Sequence, residues 1–206
     1  MGRKMFDGVA RKVVDPLLTK AGAWAAAQGF RANQTTLTGL ALGALAAAII
    51  AAGAPTAWAL APLFANRIAD GLDGAIARAK GKTDFGGFLD IVADFAFYSL
   101  IPFAFALRDG SHALAASFLL LTFYINGASF LGFAILAEKR AMQTAVRGDK
   151  SLYFTVGLME GAETILALTA MCLWPQHFAP IAWVFGALCL VTAAARILLA
   201  RQVFGR

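Results

Sequence analysis

Four aspartates occur as two closely spaced pairs within otherwise apolar sequence. Asp70 and Asp73 are three residues apart, and Asp90 and Asp94 are four apart, so each pair lies on one face of a helix. A charged side chain at membrane depth costs a few kcal/mol or more, so such residues usually have a function. Four carboxylates at close range cannot all stay ionised without a compensating positive charge. The pattern predicts a site for a divalent cation or a pair of them.

The neighbouring residues favour phosphate chemistry at this site. Ligands that are all oxygen favour Mg²⁺ or Mn²⁺ over zinc, and such ions commonly serve phosphoryl transfer, often as a pair. We therefore expect two ions. Gly74, Ala77, Gly86 and Gly87 allow a ligand or a helix to approach the backbone closely. Arg78 offers a guanidinium that can bind a phosphate through two hydrogen bonds. The alternative is a buried ion-pair network that holds helices together or conducts ions.

The same residues resemble the signature of the CDP-alcohol phosphotransferases, D-x2-D-G-x2-A-R-x8-G-x3-D-x3-D. The sequence runs DGLDGAIAR from Asp70 to Arg78, and Gly86, Asp90 and Asp94 follow. The interval from Arg78 to Gly86 holds seven residues, one fewer than the usual form. This departure falls in the predicted turn between two helices, where a deletion is easily absorbed.

The resemblance implies an activity and a set of residue roles. Members transfer a substituted phosphoryl group from a CDP-linked alcohol to an acceptor hydroxyl and release CMP; in bacterial members the donor is usually CDP-diacylglycerol and the product a phospholipid. By position in the motif, all four aspartates are expected as metal ligands, and Asp94 also as the general base. The expected CDP-binding residues are Asn33, Thr36, Gly74, Ala77, Arg78, Thr83 and Gly86.

The acceptor alcohol is not identified by the signature. Glu160 and Glu163 share one face of a predicted span, where they either line the acceptor pocket or pair with Arg67 or Arg196. Lys150 belongs to a basic segment that either binds a phosphorylated acceptor or is an ordinary cytoplasmic loop. The residues expected at the acceptor pocket are Asn126, Lys150, Glu160, Glu163 and Arg196.

The elements that must position these residues are apolar segments of about 20 residues, the length that crosses a bilayer as a helix. Residues 5–28 precede them and mix apolar with basic side chains, which predicts an amphipathic helix on the membrane surface, with a soluble helix as the alternative. We predict an all-α polytopic membrane protein with six transmembrane helices in one domain, 1–206. The predicted spans are 35–54, 57–79, 85–107, 113–137, 152–173 and 178–199.

Composition supports the membrane assignment. Hydrophobic residues make up 60% of the chain and charged residues 15%, which excludes intrinsic disorder and disfavours a soluble enzyme. The net charge of +6 does not indicate nucleic-acid binding, because the predicted outer connections contain one basic residue, Arg108, and most of the others fall in predicted cytoplasmic segments. We expect a bacterial inner-membrane protein with both termini and the active site facing the cytoplasm.

Partners and alternative functions complete the sequence-based hypotheses. The expected partners are CDP-diacylglycerol or another CDP-alcohol, an alcohol acceptor and the bilayer. A homodimer is a further hypothesis, because the chain has helix faces of small residues. One alternative is transfer of a CDP-linked head group to a lipid hydroxyl. Another is a carrier of divalent cations or lipid that catalyses no reaction and uses the same carboxylates.

Overall fold

The computed structural model describes residues 5–140 and 161–205, with side chains from residue 16 onward. The described residues form seven α-helices, and three of the connections between them contain a 3₁₀ turn. The predicted all-α class is therefore confirmed. The helices are α1 Met5–Ala27, α2 Ala32–Ala51, α3 Leu60–Lys80, α4 Asp84–Arg108, α5 Ala113–Lys139, α6 Gly161–Leu173 and α7 Phe178–Phe204.

Within the described ranges, four helical stretches are long and apolar enough to cross a membrane, and the chain is an all-α membrane protein. They are Ala32–Ala51, Asp84–Arg108, Gly110–Lys139 and Pro175–Phe204. Helix α3 has 21 residues, about 31 Å, but its charged side chains lower its apolar character. The described part of the predicted fifth span is the 13-residue α6, and residues 152–160 lie outside the described residues.

Two predicted span boundaries were wrong by about one helical turn. The first span, predicted as 35–54, is α2 at Ala32–Ala51, because the chain turns at Gly53, whose φ of +80° favours glycine. The second, predicted as 57–79, begins at Leu60, because Thr56–Ala59 form a 3₁₀ turn. The predicted short turn between the aspartate-bearing helices is confirmed, since α3 ends at Lys80 and α4 begins at Asp84.

The chain divides into two compact units, one formed by residues 1–49 and 58–100 and the other by residues 50–57 and 101–206. The first unit contains the aspartate pairs and is held together by close approaches at glycines. A Cβ atom at Gly22 of α1 would lie 2.8 Å from the backbone carbonyl carbon of Ala75 in α3. A Cβ at Gly43 of α2 would lie 2.6 Å from the ring of Phe97 in α4. At these two glycines, α1 packs closely against α3 and α2 packs closely against α4.

In the second unit, α5 packs against α7. A Cβ atom at Gly186 of α7 would lie 2.6 Å from the Phe118 ring, so this contact also depends on a glycine. The rings of Phe105 and Phe178 stack with their centroids 4.4 Å apart. In the connection before α5, the Asp109 carboxylate accepts a 2.8 Å hydrogen bond from the backbone N–H of Ser111, which lowers the pKa of Asp109.

Substitution of Gly22 by leucine tests the packing of α1 on α3. The new side chain has to displace α1 from Ala75, so we expect the free energy of unfolding to fall by about 1–3 kcal/mol. Thermal unfolding of the detergent-purified protein measures this change. Gly132→Ala is the control, because no heavy atom lies within 4 Å of its added Cβ. Equal melting temperatures for Gly22→Leu and wild type would show that α1 does not depend on this contact.

Candidate active site

Three carboxylates from α3 and α4 form one compact group. Oxygens of Asp70, Asp73 and Asp90 all lie within 4.8 Å of one another. Asp73 is buried with 4% of its surface exposed, and the other two are half-buried. Oxygens bound to a common Mg²⁺ at about 2.1 Å lie at most about 4.2 Å apart, so small side-chain adjustments would suffice. The donor set is therefore consistent with a hard divalent cation.

The start of α2 contributes directly to this group. The Thr36 hydroxyl donates a 2.6 Å hydrogen bond to Asp73 Oδ2, and both side chains are buried. The bond fixes one oxygen of Asp73. Thr36, one of the residues expected to bind CDP, therefore contacts the aspartate signature directly.

Arg67 of α3 lies between the two aspartate pairs. Its Nη2 is 3.0 Å from Asp94 Oδ1, and its Nη1 is 3.6 Å from Asp70 Oδ2. One guanidinium therefore contacts a carboxylate of each aspartate pair. From the sequence, Arg67 was expected as a partner for Glu160 or Glu163. Its position three residues before Asp70 was the available signal.

Asn66 and two aromatic rings hold this arginine. Arg67 Nε donates a 2.7 Å hydrogen bond to Asn66 Oδ1, and Asn66 Nδ2 donates one of the same length to the Gly39 carbonyl of α2. The guanidinium carbon lies 4.4 Å from the centroid of the Phe97 ring and 5.5 Å from that of Tyr98. Asn66 was not predicted from the sequence, although a polar side chain next to an arginine within an apolar helix is a usable signal.

Three of the residues expected to bind CDP meet where α2 and α4 begin. Thr83 Oγ1 accepts a 3.0 Å hydrogen bond from the Gly86 N–H, which caps the start of α4. A Cβ atom at Gly86 would lie 2.9 Å from Thr83 Oγ1 and 3.2 Å from Asn33 Oδ1. Thr83 therefore has a structural role, whether or not it binds a nucleotide.

The remaining residues expected to bind CDP lie on the last turns of α3. Gly74 and Ala77 are half-buried, and the Arg78 side chain is exposed. A Cβ atom at Gly74 would lie 3.4 Å from Arg78 Nη1, so the absence of a side chain there leaves room beside the guanidinium. An exposed arginine next to a bare stretch of backbone can bind a phosphate group.

Two residues expected at the acceptor pocket contact each other in the second unit. Arg196 Nη1 of α7 donates to Asn126 Oδ1 of α5 at 2.9 Å, to the Asn126 carbonyl at 3.1 Å and to Ser129 Oγ at 2.7 Å. Glu163 is exposed in the first turn of α6. Lys150 and Glu160 lie outside the described residues.

Comparison with known proteins identifies the family. The sequence profile of the CDP-alcohol phosphatidyltransferase family matches residues 30–194. The chain belongs to this family. The matched range includes the seven-residue interval between Arg78 and Gly86. The shorter interval is therefore compatible with membership of the family.

Two individual proteins are similar over nearly their whole length. The chain is 44% identical over 197 residues to Inner membrane protein YnjF of Escherichia coli, with 94% of each sequence covered. Its fold matches the crystal structure of Mycobacterium tuberculosis phosphatidylinositol phosphate synthase with CDP-DAG bound, with a TM-score of 0.68 and 21% sequence identity. That match covers 90% of this chain and 94% of the other.

Replacement of Asp73 by asparagine tests the carboxylate group as a cation site. Loss of one anionic ligand should weaken Mn²⁺ binding at least about tenfold. Titration followed by the EPR signal of unbound Mn²⁺ measures the affinity. Asp84→Asn is the control, because Asp84 is exposed and lies outside the three-carboxylate group. Equal Mn²⁺ affinity for Asp73→Asn and wild type would contradict the assignment.

A matched pair of glycine substitutions tests the contact of Asn33, Thr83 and Gly86. Gly86→Ala forces one of the two polar side chains to move, and we expect about tenfold weaker CDP binding by isothermal titration calorimetry. Gly87→Ala adds the same atom with no heavy atom within 4 Å and should bind CDP as wild type does. A similar loss of CDP affinity in both variants would indicate that the contact of Asn33, Thr83 and Gly86 is not needed for CDP binding.

Proposed function

We propose that the chain transfers a phosphatidyl group from CDP-diacylglycerol to the hydroxyl of an alcohol and releases CMP, as a step of phospholipid biosynthesis. The observation that carries the proposal is the group of Asp70, Asp73 and Asp90, with Asp94 on the same helix pair, within the signature of the family. The similar crystal structure has CDP-DAG bound, which supports the same donor here.

The proposed chemistry is a displacement at the phosphorus atom that carries the diacylglycerol. The acceptor oxygen forms a bond to this phosphorus, the bond from phosphorus to the oxygen of CMP breaks, and CMP leaves with that oxygen. A divalent cation held by Asp70, Asp73 and Asp90 would supply charge stabilisation to the diphosphate. The signature of the family also implies Asp94 as a ligand.

Asp94 is proposed as the group that takes the proton from the acceptor hydroxyl. Its Oδ1 is held by Arg67 at 3.0 Å, which leaves Oδ2 to accept the proton. Arg78 is proposed to bind a phosphate of the CDP group, since its guanidinium is exposed beside Gly74. Asn33, Thr36, Ala77, Thr83 and Gly86 complete the proposed nucleotide-binding set.

Acceptor recognition is proposed for the polar group of Asn126, Ser129 and Arg196. A guanidinium within an apolar helix costs free energy, so a residue of this kind usually has a function. This guanidinium donates hydrogen bonds to three oxygens. Its planar donors suit an acceptor that carries a phosphate or carboxylate. Lys150, Glu160 and Glu163 stay as predictions for the same pocket.

The proposed topology has six spans, with both termini and the aspartates on the cytoplasmic side of a bacterial inner membrane. The printed name of the Escherichia coli relative supports this membrane, and the placement of basic residues supports the orientation. Helix α3 becomes a span once its charged residues are paired with one another and with a cation.

A screen of CDP-linked donors against alcohol acceptors, read as CMP release with Mg²⁺ or Mn²⁺, tests the proposed function. We expect release with CDP-diacylglycerol and one class of alcohol. Asp94→Asn should reduce the rate about 100- to 10,000-fold, because it removes the proton acceptor. Asp84→Asn should keep wild-type activity.

The screen also separates the alternatives. Release from a CDP-linked head group with a lipid acceptor would contradict the proposed donor. No release from any pair would contradict the enzyme function, and a carrier of cations or lipid would then be tested by flux into liposomes. Wild-type turnover by Asp94→Asn would contradict the role of Asp94 as the base.

A further inference from the structure

Arg67 lies three residues before the first aspartate of the signature and contacts a carboxylate of each aspartate pair. We propose that Arg67 is an internal counter-ion. It neutralises part of the carboxylate charge before a divalent cation binds, and it then competes with the cation for Asp70 and Asp94. This inference rests on the cation site of the proposed function and is independent of the donor, the acceptor and the transfer step.

The guanidinium and the carboxylates face the same space. A cleft of about 200 Å³ is lined by residues of α2, α3 and α4, among them Arg67, Asp70, Asp73 and Asp94. Asp70 also belongs to the group of three carboxylates whose oxygens lie within 4.8 Å of one another. A cation that binds to these carboxylates therefore lies beside the guanidinium.

Arg67 contacts two of the carboxylates directly. Its Nη2 lies 3.0 Å from Asp94 Oδ1, and its Nη1 lies 3.6 Å from Asp70 Oδ2. Because neighbouring carboxylates repel one another, a guanidinium between them lowers the free energy of the protein without a cation. A carboxylate oxygen that is paired with a guanidinium is also a weaker ligand for a cation. The two positive groups therefore compete for the same oxygens.

Contacts that involve no carboxylate hold the Arg67 guanidinium in place. Asn66 Oδ1 accepts a 2.7 Å hydrogen bond from Nε, and the Tyr98 hydroxyl accepts one from Nη1 at 3.4 Å. The guanidinium carbon lies 4.4 Å from the centroid of the Phe97 ring, and the face of an aromatic ring attracts a cation. The guanidinium is thus still held when the aspartates turn to a bound cation, and its charge then repels that cation.

Removal of the guanidinium is expected to change stability and cation affinity in opposite directions. In EDTA the carboxylates lose their counter-ion, so the free energy of unfolding falls. With Mn²⁺ present, the ion meets neither competition nor repulsion from Arg67, so it binds more tightly and stabilises the fold by more. An arginine that only packs helices together would lower stability equally with and without Mn²⁺, and its loss would not tighten Mn²⁺ binding.

The test compares Arg67→Met with wild type in the full-length protein, purified in detergent. We expect Mn²⁺, titrated without substrate and followed by the EPR signal of the unbound ion, to bind about tenfold more tightly to the variant. In EDTA the variant should melt at a lower temperature than wild type. At one saturating Mn²⁺ concentration, the tenfold gain should make the Mn²⁺-induced rise in melting temperature about 3–6 °C larger in the variant.

Three further variants separate the charge of Arg67 from its packing. Arg31→Met removes an exposed arginine of the same unit and should match wild type in both measurements. Arg67→Lys keeps the positive charge, so its Mn²⁺ affinity should stay within about threefold of wild type. Arg67→Met combined with Asp94→Asn removes one charge of each sign. In EDTA this double variant should melt closer to wild type than Arg67→Met alone.

Several results would overturn the proposal. A folded Arg67→Met protein that binds Mn²⁺ no more tightly than wild type contradicts it, and so does an equal gain of Mn²⁺ affinity in Arg67→Lys. If Arg67→Met does not fold, as judged by gel filtration, a folded double variant with Asp94→Asn supports the counter-ion. A double variant that also fails to fold shows that Arg67 is needed for packing and contradicts it.

Failure of the proposed function gives a different result. If wild type binds Mn²⁺ but releases no CMP from any donor, the transfer reaction fails while the Mn²⁺ titrations still test Arg67. If wild type binds no Mn²⁺, the cation site fails, and with it the competition between Arg67 and the cation. The melting temperatures in EDTA then still show whether Arg67 stabilises the carboxylates through its charge.

Discussion

The need to compensate several carboxylates inside an apolar helix pair governs the first unit. Four aspartates on α3 and α4 repel one another and lose hydration where the helices pack, so the pair is stable only if positive charge lies between them. Arg67 supplies one such charge, at 3.0 Å from Asp94 and 3.6 Å from Asp70. A cation at the other carboxylates would supply the rest. The same positive charges stabilise α3 and keep the carboxylates together at the candidate active site.

Other contacts in this unit bring the charged groups together and fix them. Asn66 connects Arg67 to the backbone of α2, and Thr36 connects α2 to Asp73. Helix α2 approaches its neighbours closely here, since an added Cβ would lie 2.6 Å from the Phe97 ring at Gly43 and 3.2 Å from the Ala69 Cβ at Gly39. The glycines of α2 thus allow close helix packing, which the amino-acid composition alone does not reveal. They allow three helices to share one set of polar contacts.

Sequence was sufficient for features set by helical periodicity and span length. Spacings of three and four residues were enough to predict that each aspartate pair lies on one face of a helix, and the short turn between the two helices was also predicted. The first span was misplaced because apolar residues continue beyond Ala51 to Gly53, and hydropathy does not register a glycine with positive φ. The charged α3 could be predicted as a helix, although apolarity alone does not mark it as a span.

Features that depend on which side chains meet were less accessible from sequence. Arg67 had several acidic residues within plausible reach, and only the packing of α3 on α4 shows which of them it contacts. The contact between Asn126 and Arg196 joins residues 70 positions apart, and spacing carries no information about such a pair. Thr83 was expected to bind CDP because of the motif, whereas its hydrogen bond to Gly86 also makes it a helix cap.

The proposed function depends on a divalent cation bound by the carboxylates of α3 and α4. An anomalous difference map from crystals grown with Mn²⁺ tests this dependence. A peak is expected within ligand distance of Asp70, Asp73 and Asp90. A map with no peak among these three carboxylates would contradict the proposed cation site.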